Sequence, residues 1–294
     1  MREIALTKTL EKNVMHRRPV ISFATSKGGS GKSTCLITMA GVLADQGGRV
    51  AVIDTDPTQT VARWGSKEAK PENVTIYSAD QEDVLLDAID NAKKSHHVIL
   101  IDVEGRASTV GNIAMAKSSL VIVPVQPSEP DGHEAAKTIR AIRTAGRAHD
   151  KSIKFGVIMN RMPGAIVSRT YREVATAFDE AGIPVVAHLV DREAYRRMLM
   201  VGGTIFTLTD AQAPNLAKAR NEAYVFGEKI GRMVGLIAEG GGTNASDELA
   251  DKAPATFKRA AEVNVSAHAE GQGDTLDNLA DHELEQFRME DTSR

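Results

Sequence analysis

Residues 20–34, VISFATSKGGSGKST, constrain the fold of this chain more than any other stretch. An apolar, β-branched run stops at a loop with three glycines in four positions, and a helix-forming segment follows. This order of strand, loop and helix is typical of a loop that binds phosphate. Because Gly28, Gly29 and Gly31 carry no Cβ atom, the backbone can turn its N–H groups toward a polyphosphate. A turn that merely joins a strand to a helix is the alternative.

The residues of this loop have separate predicted roles. Lys32 can reach the β- and γ-phosphates, and the Ser33 hydroxyl can ligate Mg²⁺. The other residues expected to contact the phosphates are Gly28, Gly29, Ser30, Gly31 and Thr34. The loop therefore predicts a site for a polyphosphate and its magnesium ion.

A second lysine, Lys27, lies immediately before the glycines and gives the pattern K-G-G-x-G-K-[ST]. This pattern resembles the deviant Walker A motif of the ParA/MinD family of ATPases. The resemblance implies that the cofactors are ATP and Mg²⁺. It also implies that Lys27 crosses a dimer interface and contacts the nucleotide held by the partner subunit, as a catalytic residue beside Lys32. A solvated lysine at the entrance of the loop is the alternative.

Two carboxylates, Asp54 and Asp56, follow the next apolar run at residues 50–53. The segment DTDPTQT resembles switch I of the same family, usually D-x-D-P-Q, although Thr58 stands where the family often has glutamine. The resemblance implies that Asp56 orients or activates the attacking water and helps to hold the Mg²⁺ shell, while Asp54 supports the loop. Phosphoryl transfer needs mainly positioning and charge neutralisation, which suits this assignment. The alternative is that both carboxylates cap the next helix.

A third carboxylate, Asp102, ends the apolar run of HHVILIDVEG. An apolar strand that ends in aspartate is the Walker B pattern, which places a carboxylate to bond a water on Mg²⁺. The family commonly continues with D-x-P-P or D-x-P-G, and here Glu104 and Gly105 stand instead. Glu104 is therefore an alternative general base, although the resemblance gives that role to Asp56.

Asn160 ends a further predicted strand at residues 153–160, and Arg161 follows it. They resemble an N-R pair in the same superfamily, whose asparagine contacts the edge of the adenine ring. The resemblance implies that Asn160 contacts the base of the nucleotide.

The stretch DREAYRRMLMVGG carries three arginines on a predicted helix at about residues 191–200. Arg192, Arg196 and Arg197 fall at i, i+4 and i+5, so all three are expected to project from one side. Three residues are expected to turn toward the body: Tyr195, Leu199 and Met200. Because the nonspecific DNA surface of the family includes basic residues in this late region, the resemblance implies that the arginines bind DNA. A solvated helix face, balanced by nearby acidic residues, is the alternative.

Composition indicates one large α/β domain with extensions. The chain has 294 residues and is 42% hydrophobic, enough for a sizeable core. Residues 238–294 hold 13 acidic and 5 basic residues, so their net charge is −8, against −3 for the whole chain. Few apolar side chains accompany these charges, which predicts a disordered or partner-bound tail. We expect an N-terminal extension at residues 1–19, an ATPase domain at 20–238 and an acidic tail at 239–294.

Several classes of protein are disfavoured by composition. No apolar run approaches the eighteen or so residues of a membrane span, and the tail is not a basic amphipathic helix of the kind that targets the MinD branch to membranes. The lone Cys35 excludes an internal disulfide. Composition therefore predicts a cytoplasmic protein that does not bind membranes, and the resemblance implies a nucleoid-associated member of the ParA branch.

The resemblance implies a doubly wound, mostly parallel sheet flanked by helices and a homodimer that encloses ATP. The implied function is an ATPase of plasmid or chromosome partition or of conjugative transfer, which binds DNA nonspecifically and is released on hydrolysis. A DNA-binding adaptor protein is the expected partner that stimulates hydrolysis. A positioner of protein cargo would share every motif, and a metabolic enzyme of the dethiobiotin-synthetase kind would use the same loop.

Overall fold

A parallel β-sheet forms the centre of the molecule. The computed structural model describes residues 18–105, 108–164 and 169–237. Within these residues, the sheet has seven strands in the order β3-β2-β4-β1-β5-β6-β7, and every pair of neighbours is parallel. The strands β1 to β7 are Val20–Phe23, Val50–Asp54, Val74–Ser78, Val98–Asp102, Leu120–Val125, Phe155–Met162 and Val185–Val190. The predicted doubly wound α/β fold is confirmed.

Eight helices lie in the described part of the chain. The helices α1 to α8 are Lys32–Asp45, Thr60–Gly65, Glu82–Ser95, Thr109–Lys117, Glu129–Ala148, Arg169–Glu180, Glu193–Val201 and Leu216–Met233. The sequence did not predict α4. Its buried positions include Gly111, Ala114 and Ala116, and residues this small give little apolar periodicity.

The central strands are buried along their whole length because helices cover both faces of the sheet. All residues of β1, β2, β4 and β5 are buried. Two separate hydrophobic clusters lie on the sheet, one made with α1, α7 and α8 and the other with α3, α5 and α6. This is the pattern expected for parallel strands in a doubly wound fold.

The strand order brings the predicted site residues to one edge. Strand β4 lies between β1 and β2, and its last residue, Asp102, is in register with Phe23 of β1 and with Asp54 of β2. The loop that follows Phe23 and the loop that follows Asp54 therefore begin on either side of Asp102. Chain order changes direction beside β1, and ligands of such sheets bind at this crevice.

Residues 1–17 of the N-terminal extension predicted at 1–19, and the acidic tail predicted at 239–294, lie outside the described residues. Inside the described ranges, none of the helices combines the length and the apolar composition needed to cross a membrane.

Candidate nucleotide-binding site

The loop between β1 and α1 has the backbone of a phosphate-binding loop. Gly29 and Gly31 have φ angles of 81° and 97°, in the left-handed region that other residues rarely adopt. At Gly31 a Cβ atom would also lie 1.9 Å from Nδ2 of Asn160. Helix α1 begins at Lys32, so its first N–H groups lie at the loop, where they favour an anion.

Lys32 lies at the base of this loop. It is 7% exposed, and its Nζ lies 4.0 Å from Oδ2 of Asp56. A Cβ atom on Gly105, in the loop after β4, would lie 3.6 Å from the same Nζ. The ammonium group therefore lies between the loops that follow β2 and β4, where it can neutralise a phosphate.

Asp102 is a fully buried carboxylate, and only one of its two oxygens has a hydrogen-bond partner among the described residues. Its Oδ2 accepts a hydrogen bond from Oγ of Ser33 at 2.7 Å. Its Oδ1 is buried and has no partner among the described residues. Burial raises the pKa of Asp102 to about 7, and the positive charge of Lys32 acts in the opposite direction.

A buried carboxylate oxygen without a donor is costly, and such atoms mark places where a polar ligand belongs. The Ser33 hydroxyl as a metal ligand and the Asp102 oxygen as acceptor from a metal-bound water fit Mg²⁺ on this ground. In the described ranges, no three His, Cys, Asp or Glu residues are grouped so that they could hold a metal.

The two carboxylates after β2 have different surroundings. Asp54 is buried, and its oxygens accept from the backbone N–H of Ala62 in α2 at 2.8 Å and of Asp56 at 3.1 Å. Burial raises the pKa of Asp54. Asp54 therefore both supports the loop and holds α2, so the two roles considered for it coexist.

Asp56 faces the site instead of capping α2. Its Oδ1 accepts from N and Oγ1 of Thr58 at 2.9 and 2.7 Å, and its Oδ2 lies on the side of Lys32. The residue at the N-cap of α2 is Gln59. The capping alternative for Asp56 is wrong, and Thr58, which departs from the family pattern, fixes the orientation of this carboxylate.

Lys27 is held within its own chain. Its side chain is 41% exposed, and Nζ donates to Oδ2 of Asp131 at 3.0 Å. Asp131 lies in the first turn of α5 and also accepts from the Ser128 hydroxyl. Because the side chain of Asp131 is only 7% exposed, departure of Lys27 would leave a buried carboxylate held by the Ser128 hydroxyl, which costs more than breaking an exposed ion pair.

Two side-chain amides hold the carbonyl groups of the phosphate loop. Nδ2 of Asn160, which is 4% exposed, donates to O of Ser30 at 2.9 Å. Nε2 of Gln126, just after β5, donates to O of Gly29 at 3.0 Å. With these carbonyls turned outward, the N–H groups of the same peptides remain for phosphate. The sequence did not predict the role of Gln126, although its place after a strand at this edge was a usable signal.

The three predicted DNA-binding arginines do not share one exposed face. Arg192 precedes α7 and binds Glu222 of α8, with Nε 2.9 Å from Oε2, and its side chain is 20% exposed. The prediction that it projects with the others is wrong, because this ion pair holds it against the body.

Arg196 is the most exposed of the three. Its side chain is 55% exposed and pairs with Asp191 at 2.8 Å and with Glu193 at 3.5 Å. Nε of Arg197 is buried without a hydrogen-bond partner among the described residues. Met200, which was expected to turn toward the body, is 64% exposed because it lies four residues after Arg196 on the same face.

Comparison with known proteins decides the family. The family model described as VirC1 protein matches residues 18–225, from the start of β1 into α8. The chain belongs to the VirC1 family. This VirC1-family chain is also 30% identical over 213 residues to protein ParA of Rhizobium radiobacter, which covers 72% of the chain and 96% of that protein.

Solved structures share the fold at low sequence identity. An ATP complex of an McdA variant from Cyanothece has a TM-score of 0.60 at 15% identity and covers 76% of this chain and 98% of that one. MinD of Pyrococcus horikoshii, complexed with Mg-ADP, has a TM-score of 0.55 at 18% identity and covers 75% and 99%. These structures show the shared fold, and the VirC1 family match and the ParA relative confirm the predicted membership of the ParA/MinD family.

The loop contact of Asn160 and its predicted adenine contact can be separated with one variant. We expect Asn160→Ala to weaken binding of both ATP and tripolyphosphate about five- to tenfold, because one buried hydrogen bond to the loop is lost. A loss of ATP affinity that exceeds the loss of tripolyphosphate affinity measures the adenine contact. The measurement is competition titration of each ligand, with Asn91→Ala on the exposed face of α3 as control. Unchanged affinity for tripolyphosphate would show that Asn160 does not position the loop.

Proposed function

We propose that this chain is an ATPase that binds Mg²⁺ and ATP at the loop of residues 27–34 and hydrolyses ATP to ADP and phosphate. The observation that carries the proposal is the meeting of three groups at one edge of the sheet. These are the Lys32 ammonium, the Ser33 hydroxyl and the buried Oδ1 of Asp102, which has no partner among the described residues. A cation, a metal-ligating hydroxyl and a carboxylate acceptor are the parts that phosphoryl transfer requires.

The residues around the loop have distinct roles in this proposal. The loop N–H groups and Lys32 bind the β- and γ-phosphates and neutralise their charge. Mg²⁺, when bound through Ser33 and with Asp102 as acceptor from its water, supplies further neutralisation of the phosphate oxygens. Asp56, held by Thr58, orients the attacking water. Glu104, in the loop after β4, is the alternative general base.

Dimerisation through ATP is the second part of the proposal. Lys27 contacts the nucleotide of the partner subunit after it exchanges the carboxylate of Asp131 for phosphate oxygens. The phosphates carry more negative charge than one carboxylate, which favours the exchange and offsets the cost of leaving the buried Asp131 without Lys27. Two subunits then enclose two nucleotides.

The third part is nonspecific DNA binding through α7, with Arg196 and Arg197 as the contacts and Arg192 as the residue that holds the helix to the body. Residues that precede the acidic tail carry a net positive charge, which favours DNA binding.

The VirC1 family match and the ParA relative support a role in plasmid or chromosome partition or in conjugative transfer. A DNA-binding adaptor protein that stimulates hydrolysis completes the proposed assembly.

The family match also favours a partition-type ATPase over a metabolic P-loop enzyme. A metabolic enzyme would pass phosphate to a small acceptor. Release of phosphate from ATP with no acceptor present would support the ATPase, and turnover that depends on an added small molecule would support the enzyme.

Lys27 and Asp56 should have opposite effects on the dimer. We expect Lys27→Ala to bind ATP but to remain monomeric, because it lacks the contact in trans. We expect Asp56→Ala to dimerise with ATP and to persist as a dimer, because hydrolysis stalls. Sedimentation velocity with ATP measures both, with Lys137→Ala, an exposed lysine of α5, as the control. A Lys27→Ala protein that dimerises as wild type does would contradict the role in trans.

Reversal of charge on α7 should remove DNA binding but not ATP-dependent dimerisation. We expect Arg196→Glu with Arg197→Glu to lower affinity for random duplex DNA at least tenfold and to leave ATP-dependent dimerisation intact. Wild-type affinity should also fall steeply with salt, as phosphate contacts release counterions. Fluorescence anisotropy measures the affinity, with Lys93→Glu and Lys94→Glu on α3 as a control of equal charge change. Equal binding by wild type and the α7 variant would move the interface to the arginines of α5 or to residues 1–19.

A further inference from the structure

Helix α2 connects the loop that carries Asp56 to the end of α7. This helix has six residues, starts shortly after Asp56 and includes Trp64, which is 1% exposed. Nε1 of Trp64 donates to O of Gly203 at 2.8 Å. The structure therefore joins the nucleotide-facing loop to the segment that follows α7 by a buried hydrogen bond.

Lys67, two residues beyond α2, makes the second connection. Its Nζ donates to O of Leu199 at 2.8 Å and to O of Met200 at 2.6 Å. These carbonyls lie in the last turn of α7, where a cation is favoured by the unpaired carbonyl groups and by the helix dipole. Lys67 thus holds the C-terminal end of the helix that carries Arg196.

Lys67 also packs closely against the residue that ends α7. Gly202, which ends α7 with a φ of 86°, is so close that a Cβ atom on it would lie 2.1 Å from Cβ of Lys67. Close-packed groups of this kind transmit displacement instead of absorbing it. We therefore expect a shift of the segment after α2 to shift the end of α7.

The other end of α2 is tied to the site. The buried Asp54 accepts from the backbone N–H of Ala62 and from that of Asp56. A buried group left without its hydrogen bond costs about 1 to 3 kcal/mol, so the loop and the first turn of α2 are expected to move together. Asp54 thereby links the carboxylate beside Lys32 to α2.

We propose that Trp64 and Lys67 are positioning residues that couple the nucleotide-facing loop to α7, so that the orientation of the Arg196 helix depends on the nucleotide state. The coupling runs from Asp56 through Asp54 and α2 to the last turn of α7. The functional consequence of this coupling, a DNA affinity that depends on bound ATP, rests on the proposed function. The coupling itself is a property of the folded chain and can be measured without DNA.

The test compares Lys67→Met with Lys70→Met. Lys70 is a matched control because its Nζ also donates to backbone carbonyls, those of Pro71 and Val74, and not to α7. Hydrogen exchange of residues 193–201 is measured with and without AMPPNP and Mg²⁺. In wild type and Lys70→Met, the nucleotide should change exchange in α7, and in Lys67→Met that change should fall at least fivefold at unchanged nucleotide affinity. Lys67→Arg should restore it.

Trp64→Phe keeps an aromatic ring at this buried position and removes the hydrogen bond to Gly203. This variant gives a second test if Lys67→Met is unstable. We expect the same loss of the nucleotide-dependent change in α7. A wild-type α7 that does not respond to the nucleotide, or a full response in both Lys67→Met and Trp64→Phe, would overturn the coupling. Failure of wild type to bind DNA in any nucleotide state would instead overturn the proposed DNA function, while the exchange result would still decide the coupling.

Discussion

The hydrogen bond from Ser33 to the buried carboxylate of Asp102 is the interaction on which the rest of the site depends. It joins the first turn of α1 to the end of β4 at 2.7 Å and leaves the second oxygen of Asp102 without a donor among the described residues. Burial of that carboxylate opposes folding, because its charged form is poorly solvated. The nearby Lys32 offsets part of this cost. The buried carboxylate lowers the stability of the fold and provides a site that favours a cation, as is common at functional sites.

The parts of the site that the sequence predicted are local ones. The phosphate loop is read from consecutive residues, and Asp102 and Asp54 each end an apolar strand. Parallel strands bring their carboxyl ends to one edge, so placing these residues together required only the fold class. The predicted helix at about residues 191–200 agrees with α7 to within two residues at each end.

The parts that the sequence could not give are contacts between distant segments. Asn160 and Ser30 are 130 residues apart, Lys27 and Asp131 are 104 apart, and Gln126 and Gly29 are 97 apart. No local pattern reports such pairs. The same reason explains the error at Arg192, whose partner Glu222 lies 30 residues away on another helix.

Nucleotide binding that depends on Lys32 tests the central claim most directly. Titration of wild type and Lys32→Ala with ATP and Mg²⁺ gives the two affinities, with Lys137→Ala as a control that removes an exposed lysine outside the loop. We predict that Lys32→Ala weakens binding at least a hundredfold, about 2.7 kcal/mol, while it stays folded by circular dichroism. Equal affinity of wild type and Lys32→Ala for ATP would contradict the assignment of this loop as the nucleotide site.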